Sequence, residues 1–131
     1  MSQSSQSPIT LGVNEGQLAP CPDTPNCVST QAVDPSKKMA PIPWPSETAA
    51  AMERLVATVN MFPRTTIVEQ SEDYLRVEFR SLIFRYVDDV EFFVSEDEEV
   101  IHFRSASRIG YSDLGANRKR MSQFCERFKT Q

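Results

Sequence analysis

Glycine is scarce in this chain: there are four in 131 residues, and none between Gly16 and Gly110. No phosphate-loop or dinucleotide glycine spacing is present. Three cysteines are too few for a disulfide scaffold, and a single histidine leaves no second ligand pair for zinc. Apolar runs stop at three or four residues, far short of the ~20 that a membrane helix needs. A basic excess is lacking too: 14 basic side chains face 18 acidic ones, net −4, which argues against a nucleic-acid partner. No charged segment followed by an apolar one opens the sequence, so the cytoplasm is the expected location. With 40% hydrophobic and 24% charged residues, the chain reads as one globular domain. A domain of this length buries roughly two-thirds of its unfolded surface.

Proline divides the chain. Eight of nine prolines lie between Pro8 and Pro45, and only Pro63 follows. Such density disfavours helix and central strand, so residues 1–45 are expected to be irregular, with 1–17 flexible and the domain proper spanning 18–131. Leu18, Val28, Ile42 and Trp44 suggest that the later part wraps over a core. From Ser46, an N-cap candidate followed by Glu47, the spacing of Met52, Leu55, Val56 and Val59 predicts a helix over 46–60, stopped at Phe62-Pro63. Period-two patterning then predicts four strands near 65–70, 73–80, 83–94 and 99–106, whose short connections require an antiparallel meander. Met121, Phe124, Cys125 and Phe128, with Leu114, predict a closing helix capped by Ser112 or Asp113. The expected architecture is α+β, in the order α-β-β-β-β-α. One sheet face packs on the helices; the other is open or overlaid by the proline-rich segment.

Register follows from turn placement. A turn at Ser81-Leu82 sets Phe79 opposite Phe84, Val77 opposite Tyr86 and Glu78 opposite Arg85. A turn at Glu96-Asp97 sets Val90 opposite Phe103, Phe92 opposite Ile101, Glu91 opposite His102 and Asp89 opposite Arg104. Both arrangements sort apolar with apolar and acid with base, as cross-strand energetics favour.

Chemistry concentrates where the last strand runs into the last helix. Arg104, Ser105, Arg108, Asp113, Asn117 and Arg118, joined by Arg85, suit a carboxylate or phosphate held near a helix N-terminus. The alternative is that these arginines neutralise Asp88, Asp89, Glu91 and Asp113. Asp88 and Asn117 break the apolar pattern on core-facing positions, where a buried carboxylate would have a shifted pKa; the equal alternative for Asp88 is a local bulge that turns it outward. Asp88, Asp89 and His102, the last facing Glu91, are the weak catalytic candidates; no nucleophile can be assigned to them. Cys21 and Cys27 frame a proline-punctuated loop whose spacing permits a disulfide, while a reactive thiol pair is the alternative.

The segment Leu18-Ala19-Pro20-Cys21-Pro22-Asp23-Thr24-Pro25-Asn26-Cys27-Val28-Ser29 resembles the opening motif of a bacterial and chloroplast family, domain of unknown function 1499. Tyr74–Phe79, Val87–Phe92 and Arg104–Arg120 resemble its other segments, so the likeness spans about 18 to 128. The flavour is similar to cyanobacterial members. One departure is Lys37, where the family pattern suggests a histidine after Asp34-Pro35-Ser36. The resemblance implies no reaction, but it points to Asp88, Asp89, Glu91, Arg104, Arg108, Asp113, Asn117 and Arg118. Some related chains look exported or organelle-directed, which would suit a Cys21–Cys27 disulfide. The expectation is a non-enzymatic domain that binds a small anionic ligand or a protein partner at an arginine-rich corner, with no cofactor and no metal. The alternative is a small enzyme using Asp88 or Asp89 as general base beside arginines that steady an anionic intermediate.

Overall fold

A computed structural model describes residues 11–82, 86–108 and 115–131. The elements run β1 (Val13–Asn14), β2 (Gln17–Leu18), β3 (Cys27–Ser29), β4 (Ile42–Pro43), α1 (Thr48–Val59), β5 (Thr65–Gln70), β6 (Tyr74–Arg80), β7 (Val87–Ser95), β8 (Val100–Ser107) and α2 (Ala116–Lys129). The α+β class and the β5–β8 antiparallel meander match the sequence reading. The four-strand count and the α-β-β-β-β-α order do not. β3 and β4 both pair with β8, giving a six-stranded sheet, and β1–β2 form a separate two-stranded ribbon ahead of α1.

The physical reason lies in where the proline segment docks. β3 and β4 lie one after the other along the outer side of β8, so only one flank of each must supply ladder hydrogen bonds, and Pro43 sits there opposite Val100 without breaking a central ladder. Trp44 continues the docking: its N–H donates to the Glu99 carbonyl at 2.8 Å, and its indole donates to the Glu47 carbonyl at 2.8 Å. Its ring packs edge-on against Phe128 with centroids 5.7 Å apart.

Both hairpin registers are corrected. β6 and β7 pair Phe79 with Asp88, Val77 with Val90 and Glu78 with Asp89, four residues further along than a turn at Ser81-Leu82 would place them. The connection is longer because Ser81 closes it twice, donating its N–H to the Tyr86 carbonyl and accepting the Tyr86 N–H on its hydroxyl. β7 and β8 pair Phe92 with Phe103 and Glu91 with Arg104, not Phe92 with Ile101 and Glu91 with His102. Lacking glycine or asparagine for a two-residue primed turn, the chain uses residues 96–99 with Glu99 at φ 56°. Each shift is even, so every side chain keeps its expected face.

On the core face, Leu75, Val77, Phe79, Val90, Phe92, Val94, Ile101 and Phe103 meet Ala51, Met52, Leu55 and Val59 of α1 and Met121, Phe124 and Phe128 of α2. Phe124 lies at the centre, stacked on Phe62 at 5.7 Å and tilted against Phe92 at 4.7 Å. Burying such side chains contributes roughly 1.5–3 kcal/mol each. α1 starts two residues after the expected Ser46, with Glu47 at its N-cap. α2 is entered through Gly115, whose φ of 79° suits glycine. The expected caps Ser112 and Asp113, and Leu114, lie outside the described residues, as do Phe84 and Arg85.

Candidate functional site

The second sheet face is a ladder of charge. Arg76, Glu91 and Arg104 face one another across β6, β7 and β8, and Glu78 stands directly opposite Asp89. Two opposed carboxylates repel. Arg108, just beyond β8, resolves the conflict: its Nε and Nη2 each lie 2.9 Å from an Asp89 oxygen, and Nη2 lies 2.6 Å from Glu78 Oε2. The bonds to Asp89 first, and those to Glu78, hold the guanidinium charge more firmly than in water. Arg80 reaches the other Glu78 oxygen at 3.2 Å.

One row over, Glu91 is fully buried. Its Oε2 accepts the Tyr74 hydroxyl at 2.5 Å and the Gly12 N–H at 2.8 Å. Arg104 Nη1 lies 3.7 Å from Oε1, and Nη2 donates to the Pro20 carbonyl at 3.3 Å. Among the described residues, Glu91 Oε1 and Arg104 Nε find no hydrogen-bond partner. Burial raises the Glu91 carboxyl above its ordinary range despite Tyr74, Gly12 and Arg104. Burial also pulls the Arg104 guanidinium down, while burial and Glu91 push the Tyr74 phenol up.

Asp88 and Asn117 do fall on the core side, as expected. Asp88 Oδ2 accepts Arg120 Nη1 at 2.6 Å. Asn117 is fully buried and bridges four groups: its Oδ1 accepts from Ser105 at 2.5 Å and from Arg120 at 3.1 Å, and its Nδ2 donates to the Asn26 carbonyl and the Ser107 hydroxyl, both at 3.1 Å. This knot ties the Cys loop, β8 and α2 together. Ser105 therefore points away from Arg104 and Arg108. Arg118 lies elsewhere again, capping the Ser36 carbonyl at 2.8 Å. Of the seven residues expected at one corner, the five that are described divide among three places: the charged face, the core-side knot and the surface of α2. Arg85 and Asp113 fall outside the described residues.

His102 does not meet Glu91; the β7–β8 register sets it opposite Phe93. Its Nδ1 lies 2.8 Å from Thr30 Oγ1 and its Nε2 2.9 Å from Glu98 Oε1. The His102 contact draws the Glu98 carboxyl below its ordinary range. A hydroxyl, an imidazole and a carboxylate in this order suggest a nucleophilic triad. Thr30 is buried, however, and its oxygen accepts the Phe103 N–H at 3.2 Å, so the arrangement pins the loop after β3 to β8.

Sequence reasoning missed a basic cleft of about 300 Å³ between the start of β5, the end of β6 and α2. Phe62, Pro63 and Phe79 contribute apolar lining, and Arg64, Arg80, Lys119 and Arg120 are its charged residues, with no carboxylate among the described lining. Arg64 holds a left-handed backbone, φ 58°, that ordinary side chains rarely adopt, and its Nε donates to the Arg80 carbonyl at 3.1 Å. Arg120 lies over the Phe79 ring, 5.1 Å from its centroid. The available signal was spacing: Arg120 follows Asn117 by three residues, adjacent on one helical face.

Cys21 and Cys27 form a disulfide, and Cys125 is free, its thiol pushed up by burial. Among the described residues, no group of three or more histidine, cysteine or carboxylate side chains could hold a metal ion, and no helix is long and apolar enough to cross a membrane.

Fold and site together define a small α+β domain whose sheet carries a helix-covered core on one face and buried ion pairs on the other. The chain belongs to the DUF1499 family, a protein of unknown function, whose model matches residues 17–128. Neither a curated protein nor a solved structure matches it.

Proposed function

We propose that the domain is a non-enzymatic binding module that takes a small anionic ligand in the cleft formed by Arg64, Arg80, Lys119 and Arg120. One observation carries this reading: a chain of net charge −4 gathers four cations around one cleft with no acid among the described lining residues. Like charges brought together raise the energy of the empty cleft, and a phosphate, sulfate or carboxylate relieves it. Arg80 and Arg120 are partly neutralised by Glu78 and Asp88, whereas Arg64 and Lys119 make no ion pair among the described residues. The apolar lining suits a ligand with an aromatic or aliphatic part beside its charge. Arg104 and Arg108, also expected to bind the ligand, pair with Glu91, Glu78 and Asp89 on the charged sheet face, which favours the α2 cleft over them. Catalysis through Asp88 or Asp89 finds less support, because each already holds a guanidinium.

Thermal-shift titration with inorganic phosphate, pyrophosphate and phenyl phosphate tests the reading. A ligand at a hundredfold excess over its Kd adds about 2.7 kcal/mol of stability. The melting temperature is expected to rise with at least one probe, with the rise lost in Arg64→Ala and Lys119→Ala and kept in Arg118→Ala. Equal shifts in all four proteins, or none in the parent, overturn it.

A further inference from the structure

The charged sheet face is closed by the chain's own leading segment. Residues 11–20 cross it: the Gly12 N–H reaches Glu91 at 2.8 Å, the Pro20 carbonyl takes Arg104 at 3.3 Å, and Gln31 accepts the Leu18 N–H at 2.8 Å while donating to the Gly16 carbonyl at 3.0 Å. The β1–β2 ribbon inside this strap shares no ladder with the main sheet. No strap residue belongs to the hydrophobic cluster that joins the sheet to the helices. The strap therefore rests on the burial of Leu18, a few polar contacts and one covalent bond. That bond ties Cys21, at its end, to Cys27 of β3. Cys27 is fixed twice over: β3 pairs it with Ala106, and its neighbour Asn26 exchanges hydrogen bonds with the Ser107 backbone.

Beneath the strap lie two buried atoms that lack hydrogen-bond partners among the described residues, Glu91 Oε1 and Arg104 Nε. Beside it opens a cavity of about 480 Å³ whose lining includes Leu18, Pro20, Cys21, Ser29, Gln31 and Lys37. The two sulfurs are unequally placed: Cys21 lines that cavity and is partly exposed, whereas Cys27 is 3% exposed. Thiol–disulfide exchange needs access to one sulfur, and the cavity, whose charged lining is Asp23, Asp34 and Lys37, gives that access at Cys21.

We propose that the Cys21–Cys27 disulfide is a reducible latch, opened from the cavity side by a dithiol reductant, and that its opening releases residues 11–20 from the Glu91–Arg104 pair. A thiolate of the reductant attacks Cys21 Sγ, forming a mixed disulfide and expelling Cys27 as a thiolate, which takes a proton. The reductant's second thiol then attacks its own sulfur in the mixed disulfide and frees Cys21 as a thiol. Two electrons and two protons pass to the cysteines, and the reductant leaves as its disulfide. The core does not depend on the strap, so the opening is local.

Hydrogen exchange on the full chain, oxidised or treated with dithiothreitol in native buffer, tests this alongside a free-thiol count. The count is expected to rise from one to three. Amides within residues 11–20 are expected to exchange at least about tenfold faster after reduction, with those of β6 and β7 unchanged. Three outcomes overturn the proposal: a count that stays at one until denaturant is added, unchanged exchange in 11–20 despite full reduction, or protection lost across β6 and β7 as well. The double variant Cys21→Ser/Cys27→Ser is expected to exchange like the reduced protein in 11–20; if it matches the oxidised protein there, the latch is refuted without reliance on the reductant.

Discussion

Replacing Arg108 with methionine tests whether the charged face is a structural device. The side chain is 3% exposed and is the shared partner of two carboxylates that the β6–β7 register sets directly opposite each other. Methionine keeps much of the apolar stem and removes the charge, leaving Glu78 and Asp89 to repel each other out of water. Removing one member of a buried ion pair typically costs about 3–5 kcal/mol. For a domain of this size each kcal/mol moves the melting temperature by about 4 °C, so a drop of roughly 12–20 °C is expected at neutral pH. Adding Glu78→Gln and Asp89→Asn to the variant removes the repelling charges and should restore at least half of the loss. Urea denaturation of the parent, the single and the triple variant measures all of this. A loss below about 0.5 kcal/mol, typical of an exposed substitution, would refute the reasoning, as would a triple variant no more stable than the single.

Glu91 gives a pH dependence of opposite sign to that of an ordinary paired carboxylate. Its folded-state pKa is raised above the usual 4.5 by burial, with Asp89 adding to the rise and Tyr74, Gly12 and Arg104 opposing it. Its contribution is full below 4.5 and is lost as the pH climbs through the raised value. The stability of the parent relative to Glu91→Gln, which retains an acceptor for Tyr74 and Gly12, should fall across that interval in a urea series from acid to neutral pH; a flat difference contradicts it. Asn117→Ala strands the Ser105 hydroxyl at the base of α2 and removes a second donor from the Asn26 carbonyl. It should cost roughly 2–4 kcal/mol by urea denaturation, and a loss under about 1 kcal/mol would show that water replaces the knot.

What the sequence disclosed and what it hid follow from range. Helix and strand positions are written in local periodicity, so Met52, Leu55 and Val59 announced α1, and the alternation of Val77, Phe79, Val90 and Phe92 announced the core face. Face assignment survived both register errors because each slip was even. The register itself was illegible: opposite-charge pairing favoured Glu78 with Arg85 and Asp89 with Arg104, whereas the fold sets Glu78 against Asp89 and resolves the repulsion with Arg108, nineteen residues beyond Asp89. Such a three-body solution leaves no trace in pairwise sorting. Proline content likewise read as irregularity, because a composition rule cannot tell a loop from an edge strand. The basic cleft was hidden for a related reason: Arg64, Arg80, Lys119 and Arg120 come from three elements far apart in sequence, and each alone looks like an ordinary surface cation.

The two sheet faces then explain where chemistry can occur. The core face is filled by aromatic and aliphatic side chains, and any ligand there would have to displace Phe92 or Phe124. The charged face gathers Glu78, Asp89, Glu91, Arg104 and Arg108, yet most of their polar atoms are engaged by one another and the strap covers Glu91. Charge density alone is therefore a poor guide to a site, since buried guanidinium and carboxylate groups that satisfy one another have little left to offer a ligand. What distinguishes the cleft at α2 is imbalance: four cations, no acid among the described lining residues, and apolar lining from Phe62, Pro63 and Phe79 beside them. The charged face becomes available only if its cover lifts, and the covalent bond holding that cover presents one of its sulfurs to a cavity.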